Sequence, residues 1–263
     1  MSDSGARLPA LFIAHGSPMN ALPGSRFGQA WQQLGRTLPR PRAIVSVSAH
    51  WYTSGTWVTQ NATPKTIHDF GGFSPALYEI SYPAPGDPEL ALQLVERLAA
   101  VAAQPSSDWG LDHGTWSVLV HIYPNADIPV VQLSIDATQP AAFHYALGQQ
   151  LAPLRDQGVL ILGSGGIVHN LARLDWSDRE PPPQWARNFD VRVCALALAG
   201  DHPPLIQYQD LGPDAQLAVP TPDHYLPLLY VLGAQQPGEP VSVPVSGFEL
   251  GTISMSSVVV GTA

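Results

Sequence analysis

The chain of 263 residues has one cysteine, few cationic residues and no long apolar run. A single thiol, Cys194, excludes an internal disulfide and any metal cluster built from several cysteines. Its neighbours in "VRVCALALAG" predict a place in the core. No run reaches the roughly 18 apolar residues that a membrane-spanning helix needs, so we expect no membrane partner. Lys and Arg total 12 against 21 acidic residues, and with a net charge of −9 and no basic stripe, nucleic acid is a poor partner.

The N-terminal segment "MSDSGARLPA" lacks the charged start and the apolar stretch of a secretory signal. We therefore expect a cytoplasmic protein. Apolar residues make up 45% of the chain and charged residues 13%, which favours a folded protein with a large core over a disordered one. Because no repeat, low-complexity tract or polar linker divides the chain, we expect a single domain over residues 1–263.

Four short apolar runs alternate with amphipathic segments, a pattern typical of strands that are covered on both faces. The runs span residues 10–14, 43–49, 130–133 and 159–162. Between them, Asp87 predicts a helix N-cap followed by Pro88, and Gly158 and Gly200 predict helix C-caps. Residues 239–261 alternate β-branched and polar residues, which predicts one or two late antiparallel strands. The sequence thus predicts an α/β fold, with a mostly parallel central sheet flanked by helices and antiparallel C-terminal edge strands.

Three of the apolar runs lead into a histidine. "LFIAHGSPMN" delivers His15, "AIVSVSAHWY" delivers His50, and "GVLILGSGGIVHN" delivers His169 after a glycine cluster. Ligands of open parallel sheets bind at the carboxyl ends of the strands, where these three residues are expected to lie. If the strands are neighbours, the three imidazoles converge, which predicts a joint metal-binding or catalytic role.

Two further histidines precede expected helices. His113 lies in "WGLDHGTWSVL", before a helix that Thr115 is expected to cap. The positive end of that helix keeps an imidazole neutral and able to act as a base. Asp112 is expected to point elsewhere. His224 follows a proline-rich turn in "PTPDHYLPLL", beside Asp223, which is a candidate cap or ligand.

The remaining histidines and the aromatic residues give weaker signals. His68 lies in the loop "TIHDFGGF", which suits a pocket wall or an ordinary turn equally well. His121 is expected in the core or on the surface, and His144 and His202 are expected to be exposed. Candidates for an aromatic pocket wall, each equally well explained by core packing, are Trp51, Tyr52, Phe70, Phe73 and Trp116.

Imidazole ligands without thiolates suit Fe(II), Zn(II), Cu(II) or Ni(II). A site of two or three histidines leaves positions open for substrate and for O₂ or water, which fits non-haem iron oxygenation or zinc-assisted hydrolysis. The chain has no H-E-x-x-H helix, Walker A loop or G-x-G-x-x-G turn. "LGSGG" does not match a serine nucleophile elbow, because Leu162 occupies the first glycine position.

Seven motifs in order resemble one enzyme family. They are "LFIAHGSPMN", "VSAHWY", "TIHDFGGF", "DHGTWSVL", "VQLSID", "GSGGIVHNL" and "PTPDHYLPLLYVLGA". Together they are similar to the LigB-like class III extradiol ring-cleavage dioxygenases, and within them to the 4,5-DOPA dioxygenase group. The resemblance extends from about Leu11 to the C-terminus and implies a non-haem Fe(II) enzyme that opens a DOPA-like catechol with O₂.

The resemblance also implies roles for particular residues. It places the metal ligands at His15, His50 and His224, and an acid–base residue at His169 that lies near enough to the metal to join a zinc site. His113 matches a second pocket histidine, and His68 matches a loop residue near the substrate.

The better-known enzymes of this class use two histidines and a carboxylate, whereas this chain has His224 at the third position. Fe(II) is therefore expected, and Zn(II) also suits an all-histidine site. A zinc-dependent hydrolase and a non-catalytic metal-binding regulatory protein remain alternatives. The sequence leaves open the catechol, the position of cleavage and the oligomeric state.

Overall fold

A computed structural model describes residues 7–178 and 181–262. Residues 1–6, which contribute to the expectation about a secretory signal, lie outside the described residues. The strands are β1 (Ala10–Ala14), β2 (Ala43–Thr53), β3 (Trp57–Thr59), β4 (Gln104–Ser106), β5 (Val130–Asp136), β6 (Val159–Gly165), β7 (Val241–Val245), β8 (Phe248–Glu249), β9 (Ile253–Ser254) and β10 (Ser257–Val260). The α-helices are α1 (Arg26–Thr37), α2 (Pro75–Tyr78), α3 (Pro88–Arg97), α4 (His113–Ile122), α5 (Ala141–Arg155), α6 (Gln184–Ala199), α7 (His202–Ile206), α8 (Pro213–Ala218) and α9 (Leu226–Gly233).

Eight strands form one sheet in the order β4-β3-β5-β2-β6-β1-β10-β7. The four central strands, β5, β2, β6 and β1, are mutually parallel and contain the four predicted runs. At one edge β10 pairs antiparallel with β1, and β7 pairs antiparallel with β10. The predicted fold class is therefore confirmed, including the antiparallel C-terminal strands. β8 and β9 form a separate two-stranded sheet.

Both faces of the central strands are buried, because successive side chains of a strand point to opposite sides. In β1, Ala10 and Phe12 pack into one apolar cluster, with residues of α3, α5, α6 and α9. Leu11 and Ile13 pack into a second cluster on the other face, with residues of α1 and α4. Among the described residues, no helix is long and apolar enough to cross a membrane.

Local signals set some of the helix ends. The Asp87 side chain accepts a hydrogen bond from the Leu90 amide at the start of α3, as predicted. Gly200 ends α6 in the left-handed region with φ 69°. The prediction that α5 continues to Gly158 is wrong, because the helix ends at Arg155. Gly158, with φ 76°, instead forms the turn into β6.

One buried ion pair fastens the antiparallel edge to the rest of the fold. The Arg155 side chain is fully buried, and its guanidinium lies 2.7 and 2.8 Å from the two carboxylate oxygens of Glu239. The same guanidinium donates to the carbonyls of Leu8 and Ala234. It therefore links the entrance to β1 with the end of α9.

We expect Glu239→Ala to lower the free energy of unfolding by about 3 kcal/mol, because it leaves a buried guanidinium without its carboxylate. Urea titration measures the loss, and the exposed Glu96→Ala is a control expected to stay within about 0.5 kcal/mol of wild type. Equal midpoints for wild type and Glu239→Ala would contradict the prediction.

The difference in free energy of unfolding between wild type and Glu239→Ala should also depend on pH. Burial alone raises the pKa of Glu239, but its bonds to Arg155 and to the Gln236 amide outweigh burial and lower that pKa below the ordinary value. A lowered folded-state pKa means that the stabilisation is complete above the unfolded-state pKa. It is lost as pH falls through the folded-state pKa. We therefore expect wild type and Glu239→Ala to converge in acid.

Candidate active site

His15 directly follows β1 and lies in the interior, at the carboxyl edge of the sheet. The residue is buried, and its amide donates to the Gly165 carbonyl at the end of the neighbouring β6. The chain then turns at Gly16, which has φ 60°. A Cβ at this glycine would lie 2.5 Å from a carboxylate oxygen of Glu249 and from the sulfur of Met255. The abrupt break after His15 therefore needs a glycine.

His50 lies inside β2 and not beyond its end, because β2 continues to Thr53. The pairing of β2 with β5 is irregular at this point. Val47 pairs with Leu133 and Tyr52 pairs with Ile135, so β2 has extra residues in between. Such a bulge re-aims side chains in the middle of a strand.

His113 begins α4, and Asp112 is the residue that caps the helix. The expectation that Thr115 is the cap is wrong, since its amide donates to the Asp112 carboxylate at 3.2 Å. The expectation that Asp112 points away is also wrong. Its fully buried carboxylate accepts from Ser48 Oγ at 2.6 Å and from Gln132 Nε2 at 2.7 Å. These bonds pin the start of α4 against β2 and β5.

His224 lies in the turn just before α9, and the end of β6 packs directly against it. The Gly166 amide donates to the His224 carbonyl at 2.8 Å. A Cβ on Gly165 would come within 2.1 Å of that carbonyl oxygen, so the close approach needs glycine. His169 follows in the same loop, forms a bridge with Ile253, and stacks its ring on that of His224 with centroids 3.5 Å apart.

The structure brings all the predicted metal-binding and catalytic histidines together. Ring centroids of His15, His50 and His224 are separated by 5.0, 5.3 and 5.2 Å. The His113 ring lies 3.9 Å from that of His50, and donor atoms of His15, His50 and His113 all lie within 4.8 Å of one another. Two candidate ligand triads therefore share His15 and His50 and differ in the third residue.

Four of these rings have the same arrangement of neighbours: an oxygen of the protein contacts Nδ1. The contacts are Ser164 Oγ at 2.9 Å from His15, Asp69 at 3.2 Å from His50 and 3.0 Å from His113, and Asp223 beside His224. The Ser164 hydroxyl itself donates to the Gly114 carbonyl, so it accepts from His15. Proton donation from Nδ1 leaves Nε2 as the free donor atom. Nε2 of His15 and Nε2 of His50 already lie 3.1 Å apart.

Burial keeps most of these imidazoles neutral, the state that binds a metal ion. It lowers the pKa of His15, His113 and His224, and together with the nearby His224 it lowers the pKa of His169 to about 2. His50 differs. Burial alone lowers its pKa, but contact with Asp69 and the charges of nearby carboxylates raise it overall.

A cavity of about 200 Å³ adjoins the five histidines. Apart from these rings its wall is mostly apolar, formed by Gly16, Ser17, Pro18, Phe70, Phe73, Leu171, Leu174, Trp176, Leu250 and Ile253. Trp176 stands at the mouth with 76% of its surface exposed. The predicted aromatic wall is therefore found at Phe70 and Phe73. Trp116 packs behind Phe70, and Trp51 stacks on Trp109 instead.

His68 lies behind this wall and is not among the residues that line the cavity. Its Nε2 donates to the Ile80 carbonyl at 3.0 Å, and its ring packs against Trp116 and Phe70. Its contact with substrate stays a prediction. The neighbouring Asp69, which contacts both His50 and His113, was not predicted.

The other three histidines are structural. His121 is buried and donates to the Asn20 carbonyl. The prediction that His144 and His202 are exposed is wrong, because both are buried. Tyrosine hydroxyls contact Nδ1 in both rings, from Tyr230 and Tyr145 respectively, which offsets the cost of burial. Burial lowers the pKa of His144 to about 4.

These features define an α/β protein that can hold a metal ion with imidazole ligands beside an apolar cavity. The family described as the catalytic LigB subunit of aromatic ring-opening dioxygenase matches residues 9–261, and the chain belongs to this family. It is an extradiol ring-cleavage dioxygenase, as the resemblance of the seven motifs predicted. Members of this family act on a small molecule and O₂ and normally use a metal.

Named relatives are similar over most of their length. The 4,5-DOPA dioxygenase extradiol of Escherichia coli K12 is 53% identical over 262 residues, covering 98% of this chain and 96% of the relative. The protein of the same name from Beta vulgaris is 39% identical over 235 residues, covering 85% of each. A crystal structure of an uncharacterized Escherichia coli K12 protein superposes with a TM-score of 0.86 at 48% identity, covering 97% of this chain and all of that one.

Proposed function

We propose that the protein opens the ring of a catechol with O₂, using Fe(II) bound by His15, His50 and His224. One observation carries the proposal: imidazoles with Nδ1 held by protein oxygens leave Nε2 free beside an apolar cavity. This donor set fits Fe(II), and it also fits Zn(II). When bound, Fe(II) supplies coordination positions for the catechol oxygens and O₂ and carries electron density between them.

The third ligand is either His224 or His113. Donor atoms of His113 lie within 4.8 Å of those of His15 and His50. His224, however, forms a nearly equilateral triangle with the same two rings, with centroids 5.0 to 5.3 Å apart, whereas the His113 ring lies only 3.9 Å from that of His50 and leaves less room for an ion between them. His224 also has a carboxylate partner of its own, Asp223, whereas His113 shares Asp69 with His50. We therefore assign His224 to the metal and His113 to the substrate.

Single alanine variants separate the two assignments. We expect His224→Ala to lose bound metal and His113→Ala to keep about one metal per chain with reduced turnover. Metal content measured by elemental analysis after anaerobic loading and gel filtration checks this. Loss of metal from His113→Ala with retention in His224→Ala would reverse the assignment.

The chain's own residues would handle the protons. A catechol binds most strongly after losing protons, and the rings of His169 and His113 line the cavity, where the negative charge of a bound catechol would raise their pKa and let them accept these protons. A base positioned in this way contributes about 10²–10⁴-fold to the rate. The same imidazolium can later return its proton to a leaving oxygen. Phe70, Phe73 and Ile253 would hold the ring and exclude water.

The cavity also constrains the substrate. About 200 Å³ suits one aromatic ring, and a substituent would extend toward the exposed Trp176. The names of the relatives favour a DOPA-like catechol. We further propose that one catalytic domain spans residues 1–263 and acts in the cytoplasm.

Anaerobic reconstitution with Fe(II), followed by a panel of DOPA, caffeate and protocatechuate, tests the proposal. An oxygen electrode and the yellow absorbance of the ring-fission product should report equal amounts of O₂ consumed and ring opened for at least one catechol. The zinc-loaded protein is the control and should be inactive.

The all-imidazole ligand set also favours a second candidate, a zinc-dependent hydrolase on the same scaffold. Hydrolysis does not need O₂. Activity of the zinc-loaded protein toward an ester or amide under nitrogen, with no O₂ uptake from any catechol, would support the hydrolase and contradict the dioxygenase.

A further inference from the structure

Asp69 contacts two histidines of the site at once, from the loop between β3 and α2. Its Oδ1 accepts from Nδ1 of His113 at 3.0 Å and from the His113 amide at 2.9 Å. Its Oδ2 lies 3.2 Å from Nδ1 of His50. The residues on either side fix the position of the loop. His68 donates a hydrogen bond to the Ile80 carbonyl, and Phe70 lies in the cavity wall.

A carboxylate can only accept hydrogen bonds, so His113 must present N–H to it at Nδ1, and the 3.2 Å contact favours N–H at Nδ1 of His50 as well. Each ring then has its lone pair at Nε2. A backbone amide and two ring nitrogens surround its two oxygens, an arrangement that suits an ionised carboxylate. One side chain therefore sets the protonated nitrogen of two imidazoles.

We propose that Asp69 is a positioning residue that fixes the tautomer and orientation of His50 and His113 together. It would prepare Nε2 of one ring as a metal ligand and Nε2 of the other as a base. This inference rests on the proposed function for the roles of the two rings, although the tautomers themselves can be observed without turnover.

The two carboxylate oxygens are not equivalent, which makes an isosteric substitution informative. Oδ1 receives two donors from His113, and one of them is a backbone amide that cannot become an acceptor. In Asp69→Asn the side-chain carbonyl must therefore stay on His113, and the new NH₂ group must face His50. His50 would then accept at Nδ1 and carry its proton at Nε2, where it blocks metal binding. A residue that only filled space would tolerate this substitution.

The decisive measurement is ¹⁵N NMR of the histidine rings in metal-free protein, at a pH where the imidazoles are neutral. Signals are assigned with the single variants His50→Gln and His113→Gln. We expect both rings of wild type to carry the proton at Nδ1. In Asp69→Asn we expect His50 to switch to Nε2–H and His113 to stay unchanged. Asp87→Asn, which keeps the cap of α3, is the matched control and should resemble wild type.

Metal affinity gives an independent readout. Competition with a chromophoric chelator for Zn(II) should show binding by Asp69→Asn weakened by about 10–100-fold, with Asp87→Asn unchanged. Wild-type His50 protonated at Nε2, or unchanged tautomers and affinity in Asp69→Asn, would overturn the inference. If the variant does not fold, the wild-type spectrum alone still tests whether both rings carry the proton at Nδ1.

The two proposals fail in different ways. A wild-type protein that consumes no O₂ with any catechol, yet shows the expected tautomers, would contradict the proposed function and leave the role of Asp69 intact. Full ring-cleaving activity with the opposite tautomers would contradict the role of Asp69 alone.

Discussion

His15→Ala should lose its metal and its ring-cleaving activity together. His15 is buried, its Nδ1 is held by Ser164, and its Nε2 lies 3.1 Å from Nε2 of His50. Residues that merely orient a ligand cost about 10–100-fold in metal affinity when they are changed, so loss of the ligand itself should cost more than 100-fold. Elemental analysis and oxygen uptake of the same loaded sample measure both effects.

His121→Gln provides a control for this experiment, because His121 is also buried but contacts Asn20 and Gln32 outside the cavity. It should keep about one metal per chain and near wild-type turnover. A His15→Ala protein with stoichiometric metal and full activity would remove His15 from the ligand set.

His169→Phe should keep its metal and lose about 10²–10⁴-fold in kcat, the usual contribution of a positioned acid–base group. The His169 ring lies against that of His224 with nearly parallel planes, so phenylalanine preserves the stacking while removing both nitrogens. Within the described part of the chain, no protein hydrogen bond to this ring is found, which leaves its nitrogens available to substrate. Steady-state kinetics with a matched metal assay measure the effect.

Two outcomes would count against that role. Unchanged kcat in His169→Phe would show that another group, such as His113, moves the proton. Loss of metal from His169→Phe would show that His169 is a ligand and would contradict its assignment as an acid–base residue alone.

The parts of the fold that were predictable are those in which one local pattern dominates. Strands buried on both faces must be continuously apolar, so the four central strands were visible as apolar runs. The histidines that follow β1 and β6 were informative for the same reason, since the carboxyl ends of parallel strands meet at one edge. β2 was predicted to end at residue 49, because the polar His50 ends the apolar run. The strand in fact continues to Thr53 through the bulge.

The features that were missed depend on partners distant in sequence. Asp112 and Asp69 look like ordinary loop acids, and only the fold brings Gln132 and His50 beside them. His144 and His202 were predicted to be exposed because histidine is polar. Hydrogen bonds from Tyr230 and Tyr145 offset the cost of burying these rings. Tertiary hydrogen bonds of this kind produce no recognisable pattern in the amino-acid sequence.

Crystallography of the protein loaded anaerobically with Fe(II), with anomalous data collected at the iron edge, would show directly whether the three imidazoles bind iron. We expect a single iron peak beside the cavity, with Nε2 of His15, His50 and His224 at about 2.0–2.1 Å, the distance of imidazole ligands from zinc. Iron bound elsewhere, or bound through Nδ1 of these rings, would contradict this expectation.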